Sequence, residues 1–171
     1  MTGNERTIGA RDTDFSNEIL GGTTREDGLA ARAGVLAAAI SFHEVFDLPR
    51  QASPNVGIDE SLARLRIALL EEEVGEFADA VAAADLVAIA DALADIVYVA
   101  YGTAVTYGID LDMVLGEVHR SNMSKLGTNG QPLIRADGKV IKSDQYVPPD
   151  IAGILERQHP LPLTTAGSSD T

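Results

Sequence analysis

Apolar residues recur at helical spacing through most of the chain and predict a bundle of four helices. In the first, over about 29–46, the apolar positions run from Val35 to Phe46, and Leu48 with Pro49 ends the pattern. The second covers about 60–84 and follows Asp59, a residue type that caps helix N-termini. Its apolar stripe, wide enough to face a core, is formed by Leu62, Leu65, Ile67, Leu69, Leu70, Val74 and Phe77.

The third predicted helix, about 86–107, is the most apolar stretch of the chain. It follows the candidate N-cap Asp85 and contains mostly Ala, Leu, Ile and Val, so we expect other helices to cover it on every side. Gly108 ends it, and Asp110 caps a fourth helix that reaches about Ser124. A helix that is apolar all round, among amphipathic ones, is typical of an all-α bundle.

The chain changes character after the fourth helix, where turn residues replace the helical pattern. The stretches 129–130 and 136–139 predict short turns or a small hairpin, and a short last helix follows Pro148. We therefore expect an all-α four-helix bundle over residues 29–158, with an irregular, basic C-terminal segment. Residues 1–28 and 159–171 lack periodicity, and we expect a flexible N-terminal arm and a flexible C-terminal tail.

Composition and net charge exclude several classes of binding partner and of chemistry. The chain of 171 residues has a formal net charge of −13, which argues against nucleic acid or an anionic membrane as a partner. It contains no cysteine, so disulfides, zinc–thiolate sites and thiol catalysis are excluded. We find no apolar segment typical of a secretion signal and no run of about 18 apolar residues, so we expect a soluble cytoplasmic protein.

Two acidic stretches, in the second and third predicted helices, are the strongest chemical signal. Glu72 and Glu76 are four residues apart and Glu73 and Glu76 three apart, so these side chains share a helix face. Asp91 and Asp95 repeat the four-residue spacing on the third helix. Like charges at this spacing repel each other.

The neighbouring sequence offers these acids no internal counter-charge. There is no Lys, Arg or His between positions 67 and 118, and a buried carboxylate costs several kcal/mol unless it is paired, protonated or bound to metal. Oxygen ligands without His or Cys select Mg²⁺ or Mn²⁺, with Ca²⁺ as a third candidate. The alternative is that Asp91 and Asp95 form a narrow solvated stripe on an alanine-rich helix.

Positive charge is concentrated later in the chain, at His119, Arg120, Lys125, Arg135, Lys139 and Lys142. A metal-binding acidic face together with a basic segment predicts a clamp for a polyphosphate. The alternative is that these are ordinary surface charges, and for Arg120 this is the better interpretation. Near a glycine or a turn lie Lys125, Lys139 and Lys142. These three lysines are compatible with a role in the clamp and with a role as ordinary surface charges.

These motifs, in this order, resemble the all-α nucleoside triphosphate pyrophosphohydrolases, the MazG-like superfamily. The downstream motifs are similar to its branch of phosphoribosyl-ATP pyrophosphohydrolase and dimeric dUTPases. The resemblance covers about 29–158 and rests on the stretches 69–77, 91–102, 117–125, 137–142 and 148–151. It implies hydrolysis of a nucleoside triphosphate, for example dUTP, between the α and β phosphates to give the monophosphate and pyrophosphate.

The resemblance also implies roles for individual residues. Glu73, Glu76 and Asp95 would hold Mg²⁺, and Glu72 would orient or deprotonate the attacking water. The residues expected to bind the substrate, chiefly its β and γ phosphates, are Asn122, Lys125, Lys139, Lys142 and Tyr146. A homodimer or dimer of dimers is usual in the family, and it would also cover the apolar third helix.

One position departs from the family pattern, which places Glu-x-x-Asp on the third helix. Ala92 stands where the glutamate would be, and the neighbouring Asp91 is the candidate substitute ligand. A phosphoribosyl-ATP pyrophosphohydrolase and a housekeeping enzyme for damaged nucleotides are alternatives within the superfamily. A catalytically weak bundle that binds Mg²⁺ and nucleotide is an alternative outside the enzymes.

Overall fold

The computed structural model describes residues 25–164, and for 25–33 it describes the backbone alone. In this part of the chain the secondary structure is helical apart from one isolated antiparallel bridge between Ile134 and Val140. The predicted all-α class is therefore confirmed. Most of the predicted N-terminal arm and the end of the predicted tail, 1–24 and 165–171, lie outside the described residues.

The described chain forms five helices, which we number in order. They are α1 (Arg25–Val45), α2 (Glu60–Ala83), α3 (Leu86–Thr106), α4 (Leu111–Met123) and α5 (Ile151–Arg157). The predicted caps Asp59, Asp85 and Asp110 each accept backbone N–H groups from the first turn of α2, α3 and α4. Helix α1 is kinked at Gly34, where φ is +81°.

Helices α1 and α2 both pack on α3, and the C-terminal half of α3 forms the core. Tyr101 and Val105 of α3 are buried against Ala39 and Ile40 of α1. The hydroxyl of Tyr101 donates a 2.6 Å hydrogen bond to Asp112, which ties the start of α4 to α3. Burial and this bond raise the pKa of Tyr101 to about 12.

The N-terminal half of α3 is covered on one side only, contrary to expectation. Leu86 and Val87 are 77% and 80% exposed, because α1 reaches only the second half of α3 and α2 covers one side alone. By length and composition alone, α3 could cross a membrane, but the core helix of a soluble protein can have the same length and composition. Asp91 and Asp95 near its middle would each be costly in hydrocarbon, which favours the core helix.

The segment 159–164 is packed, which corrects its assignment to a flexible tail. Leu161 is 5% exposed in the core cluster, and its backbone N–H donates a 2.6 Å bond to the carbonyl of Ala52. The side chain of Gln158, just before this segment, bonds the carbonyl of Gly108 and the N–H of Asp110, both at 2.8 Å. An alternating Pro-Leu sequence has no helical period, so periodicity could not detect this packing.

The predicted small hairpin is present as a tight turn around the bridge. The N–H of Arg135 donates to the carbonyl of Lys139 at 2.9 Å, and Gly138 occupies the left-handed region with φ +84°. The chain after the turn returns to the end of α4. There Ser143 Oγ donates to the carbonyl of Leu126 at 2.7 Å, so the basic segment is fastened to α4.

Candidate functional site

Five carboxylates lie along the interface of α2 and α3, and we call them the acidic face: Glu72, Glu73, Glu76, Asp91 and Asp95. Glu73 is half-buried and the other four are exposed in the single chain. The assumption that Asp91 and Asp95 are buried is therefore wrong for the single chain, because the N-terminal half of α3 has a partner on one side only. The two acidic stretches nevertheless lie close enough for Asp95 and Asp91 of α3 to act on Glu73 of α2.

Glu73 is the centre of the acidic face. Partial burial raises the pKa of Glu73, and the charges of Asp95, Glu76, Glu72 and Asp91, in decreasing order, raise it further. Every charged group that acts on Glu73 is thus a carboxylate. The four neighbouring carboxylates all repel the ionised form of Glu73, and no Lys, Arg or His of the described chain offsets this repulsion.

The donor set fits a hard divalent cation. All available ligand atoms are carboxylate oxygens, the ligands that Mg²⁺ and Mn²⁺ prefer. Within residues 34–164, whose side chains are described, no three His, Asp or Glu side chains are close enough together to enclose a metal ion. The acidic face is therefore an open set of carboxylates on two helices, and a bound cation would reduce the repulsion at Glu73.

Ala92 and Asp91 occupy different environments on α3. Ala92 is 3% exposed, so its side chain points into the packed helix interface. Asp91 is exposed, and its effect on Glu73 is the smallest of the four carboxylates. A substitute ligand at Asp91 would thus approach a cation from the solvent side of the acidic face.

Four of the five predicted substrate-binding residues come together at the end of α4, and we call them the lysine cluster: Asn122, Lys125, Lys142 and Tyr146. Lys125 Nζ donates a 2.7 Å hydrogen bond to Asn122 Oδ1. Lys142 Nζ lies 4.2 Å from the centre of the Tyr146 ring. A hydrogen bond with Ser121, followed by smaller effects that include the charges of Lys142 and Lys125, lowers the pKa of Tyr146.

The fifth predicted residue, Lys139, lies on the hairpin turn and makes no hydrogen bond or ion pair with the lysine cluster in the part of the chain described. Arg135 on the same turn is bound by Asp137, which raises the pKa of Arg135. Arg120 is bound to Glu117, and mainly through this bond the pKa of Glu117 falls to about 2. Both arginines are therefore occupied by neighbouring acids.

A cavity of about 300 Å³ lies beside the lysine cluster, between the turn after α4 and the returning chain. Its lining includes Thr128, Asn129, Lys142 and Gln145. Across residues 25–164, no hydrogen bond or ion pair joins the lysine cluster to the acidic face, and α4 packs mainly on α5 rather than on α2. No hydrogen bond or ion pair of the described chain therefore links the two halves of the predicted clamp.

Arg66 is a polar residue of this helix interface that the sequence interpretation did not single out. Its Nε donates to Thr103 Oγ1 at 3.1 Å and its Nη2 to the carbonyl of Val99 at 3.0 Å. Burial lowers the pKa of Arg66. Arg66 precedes Glu73 by seven residues, about 10 Å along α2, so the two lie on the same face of the helix. This spacing could have identified Arg66 from the sequence as a residue of the α2–α3 interface.

Three aromatic rings lie where α1 meets α3. The ring of Phe42 is centred 4.5 Å from Phe46 and 5.8 Å from Tyr98. Neighbouring His43 is buried, and its Nδ1 donates to the carbonyl of Pro49 at 2.9 Å. Burial lowers the pKa of His43, which suits a neutral histidine with a structural role.

Part of the chain is similar to a known protein family and to one viral protein. The family described as phosphoribosyl-ATP pyrophosphohydrolase matches residues 39–122, which contain α2, α3 and the whole acidic face. An uncharacterized protein of Acanthamoeba polyphaga mimivirus is 32% identical over 132 residues, which cover 77% of this chain and 46% of that protein. The chain thus spans less than half the length of that relative. Residues 39–122 are thus similar to the phosphoribosyl-ATP pyrophosphohydrolase family, a match consistent with the all-α, MazG-like nucleoside triphosphate pyrophosphohydrolase superfamily.

Proposed function

We propose that the chain hydrolyses a nucleoside triphosphate between its α and β phosphates, releasing the monophosphate and pyrophosphate. The observation that carries this proposal is the acidic face, where burial and four other carboxylates raise the pKa of Glu73. It lies within the residues that match the pyrophosphohydrolase family. Such an accumulation of like charge is unfavourable for the fold, and a function that recruits a cation explains it.

Glu73, Glu76 and Asp95 are the proposed ligands of Mg²⁺ or Mn²⁺, and Asp91 adds a carboxylate from the solvent side. A bound cation would supply charge neutralisation at the phosphate oxygens. Glu72 is exposed beside these residues and is the proposed group that orients or deprotonates the attacking water. Because Glu72 precedes Glu73 directly, it projects from a neighbouring part of the helix surface.

The lysine cluster is the proposed site for the β and γ phosphates. The charges of Lys125 and Lys142 both act on Tyr146 near the end of α4, and Asn122 and Tyr146 add polar groups. Lys139 stays a weaker candidate on the neighbouring turn. In the reaction, these cations would stabilise the negative charge of the leaving pyrophosphate.

We further propose a homodimer, in which a second copy covers the exposed apolar stripes of α2 and α3, which together form a helical hairpin. Ile67, Val74 and Val81 follow one another at intervals of seven on α2, and all three are exposed. Leu93 lies seven residues after Leu86 on α3, and both are exposed. Apolar residues with this repeat form a continuous seam that packs against other helices. The proposed assembly is a bundle of two such hairpins or a dimer of dimers.

The first substrate candidate is dUTP or a related deoxynucleotide, because the sequence motifs after α4 resemble those of dimeric dUTPases. Phosphoribosyl-ATP is the second candidate, and the family match favours it. A damaged nucleotide is compatible with the same site. A catalytically weak bundle that binds Mg²⁺ and nucleotide is the alternative to an enzyme, and the buried Ala92 in the metal motif supports it.

The decisive experiment measures pyrophosphate release from dUTP, the other deoxynucleoside triphosphates, ATP and phosphoribosyl-ATP, with Mg²⁺ and with EDTA. We expect one substrate to be preferred, activity only with the cation, and loss of activity in Glu73→Gln. Release of orthophosphate instead of pyrophosphate would overturn the proposed bond cleavage. If nucleotide binds with Mg²⁺ but no product forms, the weak binding bundle is the better description.

A further inference from the structure

Tyr146 is close enough to both cations of the lysine cluster to feel their charges, and its ring is in direct contact with one of them. Lys142 Nζ is 4.2 Å from the ring centre, within the range of a cation–π interaction. Lys125 is held by its 2.7 Å hydrogen bond to Asn122, a residue of α4. Each of the two flexible lysine side chains is thereby restricted by one contact near the end of α4.

The backbone around Tyr146 is held by bonds that do not involve its ring. The N–H of Tyr146 donates to the carbonyl of Ser143 at 3.1 Å, and the N–H of Val147 donates to Ser124 Oγ at 2.8 Å. Ser121 Oγ donates to the carbonyl of Val147 at 2.9 Å. Altering the ring removes the hydrogen bond of its hydroxyl with Ser121 but retains the bonds that Val147 makes with Ser121 and Ser124.

We propose that Tyr146 is a positioning residue, whose ring holds the ammonium group of Lys142 beside Lys125 so that both engage one pyrophosphate group. Without the ring, the two like charges repel and the Lys142 side chain regains its rotamer freedom. Binding would then have to order it again, which weakens affinity. The inference rests on the proposed function, because it assumes that the lysine cluster receives the pyrophosphate portion of the substrate.

The test is a calorimetric titration of the full chain with inorganic pyrophosphate and Mg²⁺. Tyr146→Phe keeps the aromatic face, so its affinity should stay within about twofold of the original protein. Tyr146→Leu removes it and should weaken binding about two- to fivefold, as expected for an exposed cation–π contact. Equal affinity of the Leu variant and the original protein, with melting temperatures unchanged, would refute the positioning role.

A double-mutant cycle separates positioning from direct contact or a general structural effect. In the Lys142→Gln background, Tyr146→Leu should have no further effect on pyrophosphate affinity, because the cation that the ring holds is gone. The same loss in both backgrounds would overturn the proposal. Steady-state kinetics with the preferred triphosphate should show a raised KM for Tyr146→Leu with little change in kcat.

The two proposals fail in different ways in these experiments. Ring-dependent binding of pyrophosphate without hydrolysis of any triphosphate would retain the positioning role and reject the enzyme. Hydrolysis with a KM that is unchanged in Tyr146→Leu would retain the enzyme and reject the positioning role.

Discussion

Asp95 on α3 is the charged residue that acts most strongly on Glu73 of α2, across the interface of the two helices. Partial burial of Glu73 makes this repulsion more costly, because fewer water molecules screen it. The pair joins the two acidic stretches, which are far enough apart in the sequence to lie on separate helices. The acidic face is thus a tertiary feature of the fold.

The first prediction concerns the Glu73 carboxylate, pH and divalent cations. Its raised folded-state pKa means that its contribution to stability is greatest below its ordinary value of 4.5 and falls as the pH rises through the folded value. In EDTA, Glu73→Gln should therefore melt at a higher temperature than the original protein at pH 7, with the difference vanishing near pH 4. Thermal melts across this pH range give the measurement.

Millimolar Mg²⁺ should raise the melting temperature of the original protein at pH 7, because the cation binds only to the folded acidic face. The rise should be smaller in Glu73→Gln. Identical melting temperatures in Mg²⁺ and EDTA for the original protein would contradict the proposed metal site.

Much of this arrangement could be predicted from the sequence because helical spacing is a local property. The caps Asp59, Asp85 and Asp110 lie where expected, and the spacing of Asp91 and Asp95 correctly placed them on one helix. The burial of α3 could not be predicted, since it depends on how far α1 extends along it. Periodicity shows which residues are apolar, but not which of them a single chain covers.

Contacts between distant segments were the other features that local patterns could not show. Lys142 and Tyr146 meet Lys125 only because serine hydroxyls fasten the returning chain to α4. Leu161 enters the core from a stretch with no helical period. The first arrangement depends on the bond from Ser143 Oγ to the carbonyl of Leu126, and the second includes the bond from the Leu161 N–H to the carbonyl of Ala52. Both bonds join groups that are far apart in the sequence.

The second prediction tests the packed C-terminal segment. Leu161→Ala should lower the free energy of unfolding by about 2–4 kcal/mol, because it leaves a cavity beside Val105 and Ile40. Leu133→Ala is the control, since Leu133 is exposed and its loss should cost less than about 0.5 kcal/mol. Urea unfolding of both variants provides the comparison. Equal stabilities would mean that the segment does not contribute to the core in solution.

The third prediction concerns two glycines of the helical hairpin with opposite surroundings. A methyl group at Gly75 would meet no atom within 4 Å, so Gly75→Ala should stabilise α2 by about 0.5–1 kcal/mol. A methyl group at Gly102 would lie 2.7 Å from Arg66 Nη2 and 3.0 Å from His43 Nε2. Gly102→Ala should therefore destabilise the protein by about 1–3 kcal/mol.

Thermal or urea unfolding of the two alanine variants should show shifts of opposite sign. Gly116→Ala on α4 is a second open position and should behave like Gly75→Ala. If Gly75→Ala stabilises the fold but abolishes activity, the open space at Gly75 serves substrate binding.

The fourth prediction tests the proposed homodimer through Leu93, in the middle of the exposed part of α3. Leu93→Glu should convert the dimer to monomer at micromolar concentration, because a charge in the apolar seam would be buried without a partner. Val56→Glu introduces the same charge on an exposed loop residue outside the seam and should leave the dimer intact. Light scattering gives the mass of each variant. A monomeric original protein would refute the assembly.

The fifth prediction addresses the missing glutamate of the metal motif. If Asp91 supplies a ligand, Asp91→Asn should lower kcat/KM by about tenfold or more, with part of the loss recovered at higher Mg²⁺ concentration. If Asp91 is only a solvated residue, the change should relieve repulsion with Asp95 and leave activity intact. Steady-state assays over a range of Mg²⁺ concentrations distinguish the two roles.

Ala92→Glu restores the family residue and provides the complementary test. Since Ala92 is 3% exposed, the new carboxylate would enter a packed helix interface, and we expect a loss of about 2 kcal/mol or more in unfolding free energy. It should not raise activity if Asp91 already completes the metal site. A rise in activity that survives Asp91→Asn would show that the site of this chain is defective and that the glutamate at position 92 repairs it.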